Sequence, residues 1–206
     1  MEFSIIIPSH NNYKYCKLTI DSIKKNSSFN HEIIVHLNGE DLETEDYLKN
    51  ESILYSKSIE NIGLCSGVNK AFKLSSKSFI LYSHDDMYFL PNWDRALIIE
   101  MKNINTNNYY LSMTQISPAG PVKGSLQHIQ FDCGEKIENF NEEKLLQNYM
   151  SFKFNDLQGS HWAPHLVPRD LWERVGGFSE EYNPGFASDP DLNMKLWIEG
   201  NRIFKS

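Results

Sequence analysis

Four short runs of apolar, strand-forming residues alternate with helix-forming segments in the first 83 residues of the chain. The runs cover residues 3–7, 32–37, 53–55 and 78–83. After the first run, Cys16, Ile20 and Ile23 recur at the spacing of a helix. Such alternation predicts an α/β protein in which right-handed crossovers build a mostly parallel sheet with helices on both faces. A chain of 206 residues can bury one sizeable core, so we expect a single domain over residues 1–206.

The second half of the chain has a less regular pattern. Helices are predicted over residues 93–101, 142–150, 169–175 and 188–199, and strands over residues 109–116 and 162–167. In the last helix Ser188 is the expected N-cap and Gly200 the expected stop. Residues 117–140 have no clear period, which predicts a long loop with room for a hairpin. A strand begins after Gly200, which is consistent with one module of a longer polypeptide.

The run over residues 78–83 leads into two adjacent carboxylates, Asp85 and Asp86. Ligands of open α/β sheets bind at the carboxyl ends of the strands. Two acids at that place form a hard-oxygen site for Mg²⁺ or Mn²⁺, with the phosphates of a substrate completing the coordination. Asp is also a common turn residue, so a plain turn is the alternative interpretation. Three further polar segments, residues 8–12, 38–39 and 61–69, are expected at the same edge of the sheet.

Composition excludes several classes of function. The formal net charge of −7 and the absence of a basic cluster argue against a nucleic-acid partner. No apolar stretch approaches the ~20 residues of a transmembrane helix, and the N-terminus lacks the basic region of a signal peptide. The three cysteines are far apart and predict reduced thiols. We therefore expect a cytoplasmic protein without a transmembrane segment.

Two common nucleotide-binding motifs are absent. No Gly-x-Gly-x-x-Gly follows the first strand, which disfavours an NAD-dependent oxidoreductase. The Walker pattern Gly-x-x-x-x-Gly-Lys-Ser/Thr is also missing, so the chain is not a P-loop NTPase. A nucleotide at this sheet would need another binding loop.

Five motifs, in order and spacing, resemble those of the family 2 glycosyltransferases, which have the GT-A fold. They are residues 4–11 (SIIIPSHN), 33–39 (IIVHLNG), 61–71 (NIGLCSGVNKA), 84–93 (HDDMYFLPNW), and 175–178 (VGGF) with 188–192 (SDPDL). The likeness runs from residue 3 to about residue 204. It implies an inverting transfer of a sugar from a nucleoside-diphosphate sugar to a hydroxyl of a glycan or related acceptor, assisted by Mn²⁺ or Mg²⁺. It also implies a nucleotide-binding half over about residues 1–90 and an acceptor and catalytic half over about residues 91–206.

The resemblance assigns roles to particular residues. The expected donor contacts are Pro8, Ser9, His10, Asn11, Asn38, Asn61, Gly67, Asn69, Asp85 and Asp86. Asp86 is the expected metal ligand, with His84 from the DxD-like segment beside it, and Asp189 is the expected general base. From the residues themselves, Trp162 and Asp191 are candidates for the acceptor site, and His161 or His165 could add a metal ligand. A buried core Trp and a satisfied His are the alternatives. For Asp189 and Asp191 the alternative is structural, because carboxylates in the first turn of a helix are favoured by the helix dipole.

Three positions depart from the family pattern. Leu37 stands where an Asp is common, His84 replaces the first acid of the DxD motif, and Ser188 replaces a Glu. Because of Leu37, contacts to the base would fall to Asn38 or to the backbone. The departures at His84 and Ser188 leave open a non-catalytic nucleotide- or carbohydrate-binding module. A sugar-nucleotide pyrophosphorylase is less favoured, since its Gly-rich, Arg-containing loop after the first strand is missing.

Overall fold

The computed structural model of the chain describes residues 1–118, 128–152, 157–158 and 163–205. Its strands are β1 Ser4–Ser9, β2 Glu32–Asn38, β3 Leu54–Ser58, β4 Phe79–Tyr82, β5 Tyr110–Ser112, β6 Gln115–Ser117, β7 His128–Gln130, β8 His165–Pro168 and β9 Phe204–Lys205. Its α-helices are α1 Tyr13–Asn26, α2 Leu42–Asn50, α3 Leu64–Phe72, α4 Trp93–Asn103, α5 Glu142–Asn148, α6 Arg169–Val175 and α7 Ser188–Ile198.

A seven-stranded sheet has the strand order β3-β2-β1-β4-β8-β5-β9. The four strands at the β3 end are parallel to one another, as the alternating pattern predicts. Strand β8 is antiparallel to both of its neighbours, β4 and β5, whereas β9 returns parallel to β5. The fold is therefore α/β with a mostly parallel central sheet.

Helices cover both faces of this sheet. Ile5 and Ile7 of β1 belong to one buried cluster with Ile20 of α1, and this cluster also takes in α2 and α4. The intervening Ile6 belongs to a second cluster with Val68 of α3, which also takes in α6 and α7. Because alternate side chains of a strand face opposite ways, a strand buried on both faces has to be apolar at every position. This is why the sequence signal of β1 is a continuous apolar run.

Strand β1 extends further than its sequence predicts. The apolar run that ends before Pro8 predicts a strand over residues 3–7, but Pro8 and Ser9 remain paired with His36 and Leu37 of β2. The Ile6 carbonyl accepts a hydrogen bond from the Ser83 N–H on the β4 side. Since alternate residues direct their backbone groups to opposite neighbours, Pro8 also faces that side, where β4 has already ended at Tyr82. The missing N–H of proline therefore removes no bond from the sheet.

Other boundaries in the second half differ as well. The single strand predicted over residues 109–116 is two strands, β5 in the main sheet and β6 in a separate pair with β7. That pair is parallel, so β6 and β7 do not form the hairpin considered for residues 117–140; residues 119–127 lie outside the described part of the chain. The N-cap of α7 is Ala187, at φ 66°, while Ser188 is the first helical residue.

Gly67 lets α3 approach β2 closely. A Cβ atom at this position would lie 2.7 Å from Cδ2 of His36, which is closer than carbon atoms can pack. The His36 ring is buried and its Nδ1 lies 2.8 Å from Ser56 Oγ, so the ring cannot move aside cheaply. The close contact of helix and strand therefore depends on the absence of a side chain at Gly67.

We expect Gly67→Ala to lower the free energy of unfolding by about 1–2 kcal/mol, because overpacking strains the contact with His36. Urea denaturation measures this change. Lys70→Ala, on the exposed side of the same helix, is the matched control and should change stability by less than about 0.5 kcal/mol. Wild-type stability in Gly67→Ala would contradict the packing role.

Candidate active site

Polar residues from the first and fourth strands meet at the carboxyl edge of the sheet. Ser9, the last residue of β1, donates a hydrogen bond from Oγ to Asp85 Oδ2 at 2.6 Å. Thr19 Oγ1 donates to the Asp85 carbonyl oxygen at 2.8 Å, which holds the turn after β4 against α1. His10 contacts the Asn38 carbonyl oxygen through Nδ1, which joins the first loop to the end of β2. Asn11, next to His10, adopts φ 50°.

The Asn38 side chain fixes the turn before α3. Its Oδ1 accepts from the Ile62 N–H at 2.7 Å and its Nδ2 donates to the Gly63 carbonyl at 3.1 Å. Asn61 Oδ1 accepts from the Gly63 N–H at 2.9 Å within the same turn. The four polar segments expected at this edge are thus linked through Asn38 and Asp85. Both ends of the Asn38 amide are bonded to these backbone groups. Any contact to the base of a nucleotide would therefore fall to backbone atoms.

Asn69 and Gly67 lie away from this network. Asn69 Nδ2 donates to the Phe178 carbonyl at 2.8 Å, and its Oδ1 accepts from the Phe178 N–H at 3.1 Å. Asn69 also donates to Glu180 at 3.2 Å, while Gly67 packs on His36. Their observed contacts are structural: Asn69 ties α3 to the segment that leads into α7. They do not take part in the polar network around Asp85.

The two adjacent carboxylates have different surroundings. Asp85 is turned inward, and burial raises the pKa of its carboxyl although the hydrogen bonds from Ser9 and Asn12 oppose the shift. Asp86 is turned outward with 53% of its side chain exposed, and within the described residues no hydrogen bond reaches its carboxylate. Nδ1 of His84 lies 4.0 Å from Asp86 Oδ1. Asp86 is therefore the acid that remains free for a ligand.

Asp189 lies in the first turn of α7 with 18% of its side chain exposed. Its Oδ1 is buried without a hydrogen-bond partner among the described residues, and it lies 3.6 Å from Nε2 of His165. The preceding segment is held firmly to α3. Ser66 Oγ donates to Glu180 at 2.9 Å and accepts from Asn183 Nδ2 at 2.7 Å. These bonds fix the place at which α7 begins, and with it the place of Asp189.

Tyr82, the last residue of β4, connects the two acidic sides. Its ring centroid lies 5.6 Å from that of His84 and 5.0 Å from that of His165. Burial raises the pKa of the Tyr82 hydroxyl well above its usual range, and the charges of Asp189 and Asp86 contribute to the rise. A cleft of about 820 Å³ beside Asp86 reaches Ser112 of β5. The two carboxylates thus belong to one region at the end of β4.

Of the remaining candidate residues, one lies in α7 and two lie outside the described residues. Asp191 lies in the first turn of α7, and its buried Oδ2 has no hydrogen-bond partner among the described residues. Trp162 and His161 lie outside the described residues. The structure adds Phe186, which is 91% exposed and stands three residues before Asp189. A lone aromatic residue in a loop carries no sequence pattern, so its position could not be read from the sequence.

A divalent cation fits the acids that follow β4. In the described parts of the chain, no group of three or more His, Cys, Asp or Glu side chains could hold a metal ion. Mg²⁺ and chemically similar ions bind through one or two carboxylates and take their remaining oxygens from phosphates and water. The unbonded carboxylate of Asp86 beside the half-buried Asp85 matches this limited set of ligands.

The seven-stranded, mostly parallel sheet with helices on both faces is the GT-A fold. Residues 4–168 match the model of the family described as "Glycosyl transferase family 2", and the chain belongs to that family. The resemblance seen in the sequence is thereby confirmed. All three cysteines are buried and free, as predicted.

One relative is an uncharacterized glycosyltransferase of Rickettsia prowazekii (strain Madrid E), 30% identical over 94% of this chain and 58% of that protein. S. aureus TarS 1-349 superposes with a TM-score of 0.69 at 18% identity, covering 98% of this chain and 57% of that one. The mannosyltransferase PcManGT of Pyrobaculum calidifontis, in complex with GDP-Man and Mn²⁺, superposes with a TM-score of 0.67 at 14% identity, covering 98% and 53%. The chain thus spans a little over half the length of these relatives.

Across the described ranges, no helix has both the length and the apolar character needed to traverse a bilayer.

We expect Asp85→Asn to raise the Tm of the metal-free protein at pH 8 by a few degrees. The pKa of Asp85 is raised in the folded protein, so ionisation costs stability once the pH exceeds that pKa. The cost disappears as the pH falls through the unfolded value, and the gain of Asp85→Asn should vanish with it. Thermal melts from pH 3 to pH 8 measure this trend. Asp86→Asn, at an exposed carboxylate, is the control and should change the Tm little; a pH-independent loss of stability in Asp85→Asn would contradict the account.

Proposed function

We propose that the chain transfers a sugar from a nucleoside-diphosphate sugar to an acceptor hydroxyl, with inversion at the anomeric carbon. Three carboxylates that differ in burial and in hydrogen bonding support this proposal. Asp85 is half-buried and bonded to Ser9, Asp86 is exposed and free of hydrogen bonds among the described residues, and Asp189 has a buried, unbonded oxygen beside His165. One acid can then support the turn, the second hold a cation and the third accept a proton.

The donor is proposed to bind at the carboxyl edge of β1, β2 and β4. Residues 8–12 and the turn at residues 61–63 lie there, joined through Asn38 and Asp85. S. aureus TarS has been solved in complex with UDP and with UDP-GlcNAc, and PcManGT with GDP-Man. These neighbours support a nucleotide-sugar donor here, and a panel of such donors is required to find which one the chain uses.

Asp86, with His84 next to it, would hold Mn²⁺ or Mg²⁺ against the diphosphate. When bound, such an ion supplies Lewis-acid neutralisation of the charge that develops on the leaving phosphate. Asp85 would act through the turn, because its bond to Ser9 and the Thr19 bond to its carbonyl hold the backbone that presents Asp86. The PcManGT complex with Mn²⁺ gives a precedent for the ion in this fold.

Asp189 is proposed as the general base. Its carboxylate would take the proton as the acceptor O–H bond breaks. The acceptor oxygen then forms a bond to the anomeric carbon on the face opposite the diphosphate, while the bond from that carbon to the phosphate oxygen breaks and its electron pair leaves with the phosphate. Displacement from the opposite face inverts the configuration of the sugar.

The acceptor is proposed to approach from the Asp189 side. Phe186 stands at that side with an exposed ring, and sugar faces pack well on aromatic rings. Asp191 has a buried oxygen available for a hydroxyl. Trp162 stays a proposal from sequence. Since the chain spans a little over half the length of its relatives, the acceptor of the whole protein is itself a proposal.

A binding module without turnover is the second candidate. The departure at Ser188 gives it little support, because Ser188 Oγ donates to the Gly185 carbonyl at 2.8 Å and so ties the start of α7 to the preceding loop. The departure at His84 leaves Asp86 in place as a metal ligand. Measurements of turnover separate the two candidates.

Hydrolysis of a panel of nucleotide-sugars tests the metal role. We expect release of one nucleoside diphosphate with Mn²⁺ and none with EDTA, and at least a ~100-fold loss of kcat in Asp86→Ala, a loss typical for a single electrostatic contact to a developing charge. Asp46→Ala, at an exposed carboxylate of α2, is the control. Equal turnover in EDTA would contradict the metal role, and nucleotide binding without any turnover would favour the binding module.

Replacement of the base tests the catalytic side. Asp189→Asn keeps the size of the side chain but cannot take a proton, so we expect kcat to fall by about 10²–10⁴-fold. The Kd for the nucleoside diphosphate should stay unchanged, since Asp189 lies outside the Asp85 network. Asp170→Asn, at an exposed carboxylate in the first turn of α6, is the control. Turnover of Asp189→Asn near the wild-type rate would remove Asp189 from the mechanism.

A further inference from the structure

His165 is a buried histidine that the proposed reaction has not used. Its side chain is fully buried on β8, and among the described residues neither ring nitrogen has a hydrogen-bond partner. Buried polar groups are nearly always bonded, because an unmade bond in the interior costs free energy. An imidazole with two unsatisfied nitrogens therefore points to a partner that completes its bonding in another state of the site.

The ring is held in a fixed place. In the sheet His165 pairs with Tyr82 of β4 on one side and with Ser112 of β5 on the other, so the three side chains form one row on one face. Aromatic rings surround it, with ring centroids of Tyr110 at 4.8 Å, Tyr82 at 5.0 Å and Phe178 at 6.2 Å. These rings restrict the rotation of the imidazole and keep it close to α7.

The polar atom that faces Nε2 is Asp189 Oδ1. The two atoms are 3.6 Å apart, which is longer than a hydrogen bond, and Oδ1 is itself unpartnered among the described residues. A shift of about half an ångström would close the pair to the usual bonding distance. Since an ionised carboxylate can only accept, the proton of the neutral imidazole has to lie on Nε2 to make this bond.

We propose that neutral His165 is a positioning residue for Asp189: its Nε2–H donates to Oδ1 and so turns Oδ2 toward the acceptor hydroxyl. The inference rests on the proposed role of Asp189 as the base. The neutral ring suits the row in the sheet, because a bare Nδ1 can accept from the hydroxyl of Ser112, whose Oγ is also buried and unpartnered among the described residues. A doubly protonated ring would instead place a second N–H group against the buried aromatic rings.

A metal-binding role for His165 is less consistent with the structure. Within the described residues no set of three or more His, Cys, Asp or Glu side chains could hold a metal ion. The aromatic rings of Tyr82, Tyr110 and Phe178 also occupy the space in which further ligands would have to stand. The positioning role needs only the pair that the structure shows.

The tautomer of His165 tests the inference without any substrate. Long-range ¹H–¹⁵N spectra at pH 8 should show one neutral form protonated at Nε2, with the signal assigned by its loss in His165→Gln. Asp189→Ala should let the Nδ1-protonated form appear, whereas the control Asp191→Ala should not. A proton on Nδ1 in the wild type, a doubly protonated ring, or an unchanged spectrum in Asp189→Ala would overturn the inference.

Kinetics of nucleoside-diphosphate release from the donor that the wild type hydrolyses give a second test. His165→Leu should lower kcat about 10–100-fold with the donor KM unchanged, a loss of the size seen when a residue that orients a functional side chain is replaced. His165→Gln keeps an N–H near the position of Nε2 and should recover most of the loss. Because His165 acts through Asp189, His165→Leu should not slow Asp189→Asn further. Multiplied losses in the double variant would overturn the positioning role alone; wild-type turnover in Asp189→Asn would overturn the base and the inference together.

Discussion

The pairing of β4 on both of its edges is the constraint on which the site depends. β4 is parallel to β1 and antiparallel to β8, so a single strand joins the parallel part of the sheet to the mixed part. Its carboxyl end delivers Asp85 and Asp86 next to Ser9, and the same register places Tyr82 opposite His165. The donor-side acids and the partner of the proposed base are therefore fixed by one set of backbone hydrogen bonds.

The position of Asp189 depends on a second connection, from α3 to the segment before α7. Asn69 bonds the backbone of Phe178 at both its N–H and its carbonyl, and Ser66 bonds both Glu180 and Asn183. Helix α3 begins at the turn that Asn38 holds. One short helix thus links the sheet edge proposed for the donor to the segment that carries the proposed base. This link gives a structural role to Ser66 and Asn69, the polar residues on either side of the close contact at Gly67.

Strands β1, β2 and β4 and helix α1 were predictable, because strands buried on both faces give continuous apolar runs and the first helix keeps a clear period. The convergence of Ser9, Asn38 and Asp85 followed from the parallel topology. The second half could not be predicted equally well, since the antiparallel strand β8 and the break between β5 and β6 depend on long-range pairing. The bonds of Asn69 to Phe178 and the approach of His165 to Asp189 join residues far apart in the chain, and no local pattern carries them.

The proposed mechanism gives three acids three roles: Asp86 carries the cation, Asp85 supports the turn, and Asp189 is the separate base. Anomalous diffraction from crystals grown with Mn²⁺ and a nucleoside diphosphate can locate the ion. We expect one Mn²⁺ peak about 2.1 Å from a carboxylate oxygen of Asp86, with the diphosphate completing the shell and Asp85 still bonded to Ser9. A bound diphosphate whose Mn²⁺ has no Asp86 oxygen among its ligands, or has an Asp189 oxygen among them, would contradict it.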